Sequence, residues 1–249
     1  MSEGKGPLAI VLVHGWTCSA LFWRRQSSDF ADAGYKVLSI DLPGHGKSDK
    51  PLKVEYSVPL FAQAVDAMMR DAHVRKAVIV GHSMGTPVAA QAVVDHPDKF
   101  VGLVDVDGAV WKYSGPRTRP YPFAARLRAD YLGVAGSAIE GMFTAATPAQ
   151  LKEEIRERML STPGHVAASA MENLSETDVW THMPTQLPVL AVVAGPQKED
   201  DRRSIREALF PNLQFEKWDE AGHFLMMEQP QRFSQLVLDW LQRLGAAAN

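Results

Sequence analysis

The chain has 249 residues, with 26 Lys and Arg against 29 Asp and Glu and a formal net charge of −3 at pH 7. That length buries a sizeable core and suits one domain, or one domain carrying an insertion. Near-balanced charge without a basic tract leaves no electrostatic footprint for nucleic acid or an anionic membrane. The single cysteine, Cys18, excludes an internal disulfide framework. The polar start, Met1 to Pro7, and the short apolar run Leu8 to Val13 make neither a secretory signal nor a membrane span, so a cytoplasmic protein is expected.

In chain order, Leu8 to Val13 and Val37 to Ile40 are short, β-branched-rich runs, as are Ala77 to Val80 and Val101 to Val106. Leu190 to Ala194 and Leu213 to Glu216 read as later strands. Ala20 to Ala33 has helical spacing and stops at Gly34, and Val58 to Ala72 puts Leu60-Phe61, Ala64-Val65 and Met68-Met69 on one stripe. Val88 to Val94 is again helical, ending near His96-Pro97, with Pro87 in the first turn, where its missing amide proton costs little. The last helix is expected near Pro230, with Phe233, Val237, Trp240, Leu241 and Leu244 at core-facing intervals. Strands alternating with amphipathic helices imply a mostly parallel sheet covered on both faces.

The region from Trp111 to Thr185 breaks this rhythm. It opens with Tyr113-Ser114-Gly115-Pro116 and Arg119-Pro120-Tyr121-Pro122, then turns helical, with Leu151, Ile155 and Met159 making a narrow stripe on a charged segment. So long a connection implies a helical insertion rather than a loop. Its aromatics and methionines, including Trp111, Tyr121, Phe123, Met142, Phe143 and Met171, either form the insertion's own core or line an acyl or ring pocket.

The segment Val78-Ile79-Val80-Gly81-His82-Ser83-Met84-Gly85 carries the chemistry. A strand-like run enters a Gly-x-Ser-x-Gly turn and leaves as a helix, the context of a nucleophile elbow with Ser83 on a strained turn. A serine hydroxyl is a weak nucleophile at neutral pH and needs an imidazole to take its proton and a carboxylate to orient that imidazole. His223, in a Gly-His turn between the last expected strand and helix, suits the base. His82 adjoins Ser83, but neighbours in a sharp turn point apart. Gly44-His45-Gly46-Lys47-Ser48 lacks the spacing of a phosphate-binding loop, because position 41 is Asp rather than Gly.

Four segments in this order resemble the α/β-hydrolases, in their lidded, single-domain serine esterase and lactonase-like branch. They are Val13-His14-Gly15-Trp16, Asp41-Leu42-Pro43-Gly44-His45-Gly46-Lys47-Ser48, the elbow, and Ala221-Gly222-His223-Phe224. The resemblance covers nearly the whole chain. It implies a core of residues 1–110 and 186–249 and a helical lid of residues 111–185. Relatives often begin with an antiparallel hairpin; with seven residues ahead of Leu8, six strands and no leading hairpin are expected here. The resemblance also implies an oxyanion hole from the backbone amides of Trp16 and Met84, with Trp16 beside the mouth, and loop-supporting roles for His14 and His45.

The acid stays open at this point. Many relatives carry it after the seventh family strand as Gly-x-x-Asp, but Gly195-Pro196-Gln197-Lys198 puts a lysine there, followed by Glu199, Asp200 and Asp201. Other relatives carry it after the strand that follows the nucleophile helix, which matches Asp107 in Val104-Asp105-Val106-Asp107-Gly108. Asp107 is the first choice and the 199–201 cluster the alternative. Asp105, an unpaired carboxylate in a strand interior, is awkward unless it bonds to loop backbone.

The expected activity is hydrolysis of a small or medium hydrophobic ester or lactone through an acyl-enzyme, without metal or organic cofactor, by a monomer or homodimer. The same fold leaves three alternatives: carbon–carbon bond hydrolysis, cofactor-independent dioxygenation through the histidine and acid, and a non-enzymatic ligand receptor.

Overall fold

The structure, a computed structural model, describes residues 1–111, 119–184, 186–195 and 199–245, and of residues 199–201 the backbone alone. The chain opens with a two-residue strand β1 (Ser2–Glu3), then β2 (Ala9–Val13), α1 (Arg24–Asp32), β3 (Lys36–Ile40), α2 (Val58–Asp71), β4 (Ala77–His82), α3 (Gly85–Asp95) and β5 (Phe100–Val106). Four helices follow: α4 (Pro122–Ala129), α5 (Tyr131–Glu140), α6 (Ala149–Leu160) and α7 (Gly164–Leu174). The core resumes with β6 (Val189–Ala194), α8 (Glu199–Leu209), β7 (Leu213–Trp218), the single turn α9 (Leu225–Glu228) and α10 (Pro230–Arg243).

The strands form one sheet in the order β1-β3-β2-β4-β5-β6-β7, parallel except for β1, which pairs antiparallel with β3 through Ser2↔Leu38 and Glu3↔Val37. The sheet therefore has seven strands, not six. The extra strand escapes hydropathy analysis because Ser2 and Glu3 are polar and exposed; the β3 edge supplies its hydrogen bonds, not a buried face. The central strands β2, β4 and β6 are buried throughout, as a parallel sheet covered on both faces requires.

Chain direction along the sheet reverses at β2, whose two neighbours β3 and β4 lead to opposite edges. Right-handed crossovers then put α1 on one face and α2 and α3 on the other. α1 packs with α10, and α2 with α3. The crevice where the loops after β2 and β4 diverge is the ligand position of an open parallel sheet. The helix starts follow local chemistry: Ser57 caps α2 by accepting from the Leu60 amide, and Pro59 and Pro230 occupy first-turn positions where no amide proton is needed.

The helices between β5 and β6 pack mainly on each other, α4 against α5 and α7, and α5 against α6, while α7 also touches α2. Ile155 and Met159 of the narrow α6 stripe are buried, with Leu151 packed at its edge. The expected turn Tyr113 to Pro116 lies outside the described residues, as does Thr185.

Candidate active site

β4 ends at His82 and α3 begins at Gly85, so Ser83 and Met84 make the whole connection. Ser83 adopts φ +52°, a left-handed conformation that costs a non-glycine residue about 1–3 kcal/mol and persists only where the surroundings enforce it. The Ser83 amide donates to Val106 O (3.0 Å) and its carbonyl accepts from the Ala109 amide (3.1 Å), so the end of β5 holds the turn. A Cβ on Gly81 would lie 2.4 Å from Gly85 O, and one on Gly85 would lie 2.4 Å from Val13 O. Both positions must stay bare for β4 to turn into α3 against the end of β2.

The loop after β2 closes on this turn. A Cβ on Gly15 would stand 2.9 Å from His82 Nδ1 and 3.1 Å from Ser83 Cβ, so the chain here passes directly beside the serine. Neither the Trp16 nor the Met84 amide N–H donates a hydrogen bond among the described residues. The Met84 amide follows Ser83 at the start of α3, where the helix dipole favours negative charge, and the Trp16 amide follows Gly15, which passes beside the serine. The Trp16 ring is buried against the helices between β5 and β6, its Nε1–H donating to Ala167 O of α7 (2.9 Å) and its centroid 6.0 Å from that of Phe123 in α4.

His223 follows β7. Its Nδ1 lies 2.5 Å from Asp107 Oδ2, with Asp107 almost fully buried and His223 partly open to the cleft. With Nδ1–H donating to the carboxylate, Nε2 is left as the proton acceptor. The His223 amide donates to Met142 O (2.9 Å), the Gly222 amide to Glu228 Oε2 (2.9 Å), and the Thr147 hydroxyl to Glu228 Oε1 (3.1 Å), so the α5–α6 loop is tied to the histidine turn.

Asp107 also has a left-handed backbone, φ +44°. Its Oδ1 accepts from the Ala194 amide at 2.9 Å and lies 2.6 Å from Arg202 Nη1, an ion pair outside hydrogen-bond alignment. Burial works to raise this carboxyl, but the His223 hydrogen bond and charge, Arg202 and the Ala194 amide together hold it well below the usual carboxylate range. Asp105 bonds to loop backbone as expected, accepting from Gly108 N (2.9 Å), and also pairs with Arg206 Nε (2.6 Å), both side chains sealed from solvent. Arg202 and Arg206 escaped sequence reasoning; the signal was an i, i+4 arginine pair following an unexplained buried aspartate. Glu199, Asp200 and Asp201 open α8, and their side chains, like Pro196, Gln197 and Lys198, lie outside the described residues.

His82 turns inward and donates Nε2–H to the His223 carbonyl (2.9 Å); burial, with the His223 charge adding, pushes its pKa down to about 3. His14 donates to Gly15 O and accepts from the Leu42 amide through Nε2, while His45 donates to Pro43 O. Asp41 accepts from the Ala20 and Lys47 amides, organising the glycine turn that sequence spacing rejected as a phosphate loop.

Ser83, Asp107 and His223 line one cleft of about 350 Å³ together with Met142, Phe143 and Thr144. The expected pocket set divides: Met142 and Phe143 line this cleft, whereas Trp111 and Tyr121 line a separate hollow with Met171, Leu174 and Ser175. Trp16 and Phe123 pack on each other outside both linings. Among the described residues, no group of three His, Cys, Asp or Glu side chains is arranged to hold a metal ion, and no helix is long and apolar enough to cross a membrane.

A profile of the alpha/beta hydrolase family matches residues 10–236, spanning sheet, elbow and histidine turn. The chain belongs to the alpha/beta hydrolase family. Within it, the chain is 28% identical over 258 residues to a 2-hydroxy-6-oxononadienedioate/2-hydroxy-6-oxononatrienedioate hydrolase from a Pseudomonas species, covering 96% of this chain and 90% of that one. Among solved structures it is similar to a thermophilic esterase from Thermogutta terrifontis, with a TM-score of 0.85, 25% identity and coverage of 98% and 92%. It is also similar to Est816, described as an N-acyl homoserine lactone degrading enzyme, with a TM-score of 0.77, 26% identity and coverage of 96% and 95%. The two solved structures share this chain's architecture over nearly its whole length.

Proposed function

We propose that this alpha/beta hydrolase cleaves small or medium hydrophobic esters or lactones through an acyl-enzyme on Ser83. The observation that carries the reading is the Asp107–His223 hydrogen bond in the cleft that Ser83 also lines. His223 Nε2 takes the Ser83 proton as the oxygen attacks the carbonyl carbon, and the oxyanion accepts from the Trp16 and Met84 amides. His223 then returns the proton to the leaving oxygen. A water that loses its proton to the same nitrogen attacks the acyl carbon, and the acid leaves as Ser83 regains its hydrogen. Asp107 holds the ring in the required tautomer and stabilises the imidazolium. Met142 and Phe143 supply an apolar wall for the acyl or alcohol part, and the helices of residues 122–174 act as the lid.

One observation favours a second reading. The 28% identical Pseudomonas relative is named for an oxo-dienedioate substrate, and carbon–carbon bond hydrolysis runs on the same three side chains. A chain-length series of p-nitrophenyl esters, with aliphatic lactones and a vinylogous 1,5-diketone beside it, separates the two. Ester or lactone turnover that disappears in Ser83→Ala supports the first reading, and diketone cleavage with negligible ester turnover replaces it. Turnover that survives in Ser83→Ala removes Ser83 as nucleophile.

A further inference from the structure

α8 presents two arginines one helical turn apart to two aspartates at the end of β5. Arg206 meets Asp105 at 2.6 Å and donates through Nη2 to Gly108 O at 3.0 Å. Thr86 and the Gly108 amide complete the Asp105 shell, so that pair is buried, neutral and fixed. Arg202 lies one turn earlier on α8 and reaches Asp107 Oδ1. The two oxygens of Asp107 thus divide their work: Oδ2 takes the histidine, while Oδ1 takes the Ala194 amide and Arg202.

We infer that Arg202 is a positioning residue for the Asp107–His223 pair, its guanidinium fixing the carboxylate from the side opposite the imidazole and limiting how strongly that carboxylate stabilises a protonated ring. The inference rests on the proposed hydrolysis for its catalytic meaning. Without Arg202, Asp107 would be an anion held by the Ala194 amide alone, 2.5 Å from Nδ1, and would favour the imidazolium, which is useless as a base. Arg202, only 15% exposed, offsets part of that field. Of the other charged or titratable neighbours, His82, facing from β4, stays neutral, Asp105 and Arg206 cancel each other, and Glu228, which accepts from the Gly222 amide and the Thr147 hydroxyl, is a background common to wild type and every Arg202 variant. A role confined to stability would leave the ring's titration alone, which is the readout that separates the two.

The test compares wild type with Arg202→Met, Arg202→Gln and Arg202→Lys, each folded variant checked by its melting temperature. The pH profile of kcat/KM for a p-nitrophenyl ester is measured alongside the NMR titration of labelled histidine, with the His223 signal assigned through His223→Gln. In Arg202→Met and Arg202→Gln the acid limb and the ring's midpoint move up by about one pH unit, the order a unit charge produces at a partly screened site. Arg202→Lys returns both toward wild type. Arg202→Gln keeps a donor without charge and carries the test if Arg202→Met does not fold. A midpoint unmoved in the folded neutral variants, or moved equally in Arg202→Lys, overturns the inference. Shifted ring titration in a protein that hydrolyses neither the esters nor the lactones upholds the clamp and rejects the ester and lactone reading instead.

Discussion

Acid should weaken this fold well before its carboxylates protonate. His14, His45 and His82 are sealed beneath the cleft, each with less than 2% of its surface exposed. Burial is the largest cause in every case: His14 is held well below its ordinary range, His45 is pushed down to about 4 and His82 to about 3. The folded protein therefore keeps these rings neutral, while the unfolded chain takes up protons as the pH falls through about 6.5. Because the unfolded state binds more protons below that point, stability declines with falling pH, and it does so until the folded-state values are reached. Between pH 8 and pH 5, His45 and His82 each remove about 2 kcal/mol (about 1.5 pH units at about 1.36 kcal/mol each), or about 4 kcal/mol together. His14 adds to this in the same direction. Against a typical total of about 5–15 kcal/mol, that loss is large. Urea unfolding at pH 8, 6.5 and 5 measures it, and His82→Gln, which retains a side-chain donor for the His223 carbonyl, should flatten the slope by roughly a third, its share of three such rings. A stability that stays level from pH 8 to pH 5 would refute the reasoning.

Other outcomes follow from single contacts. Asp107→Asn should lower kcat about 10⁴-fold with KM little changed, because the ring loses its charged partner; a loss under about tenfold would move the acid to the 199–201 segment. Below the histidine range, Asp107 contributes stability that is fully present above about pH 4 and lost as the pH falls through its depressed folded value, so Asp107→Asn should flatten the urea-midpoint slope between about pH 4 and pH 2. Gly15→Ala should leave a folded protein with kcat reduced at least tenfold, since its Cβ presses on His82 and Ser83; stopped-flow acylation locates the defect in the first step. Asp105→Asn strands the buried Arg206 guanidinium and should cost about 3 kcal/mol or more, read from the urea midpoint, whereas Asp105→Leu with Arg206→Met recovers much of it.

The alternating core was legible because its periodicities were clean: β2 to β7 and α1, α2, α3 and α10 fall on the apolar runs and stripes of the sequence. Ser83 and His223 stood out because strand-turn-helix contexts constrain them locally. The acid did not, because pairing Asp107 with His223 spans 116 residues and depends on the neighbouring strands β5, β6 and β7 being in register. β1 was invisible for the opposite reason, being backbone pairing with no hydrophobic pattern. The pocket residues could not be sorted, since Trp111, Phe123 and Phe143 look alike in sequence and part only through how four short helices pack.

One hydrogen bond makes substrate selection and base alignment inseparable. The Met142 carbonyl holds the His223 amide, while Met142 and Phe143 line the same cleft as Ser83 and, under the proposed hydrolysis, meet the bound acyl group. A bulkier ligand that pushes this loop outward pulls on the imidazole at the same moment, and a well-fitting one steadies it. Discrimination in such a cleft appears in turnover as well as in binding. Substitutions meant to widen the wall therefore alter the speed of the chemistry, and engineering this loop for new substrates also retunes the engine.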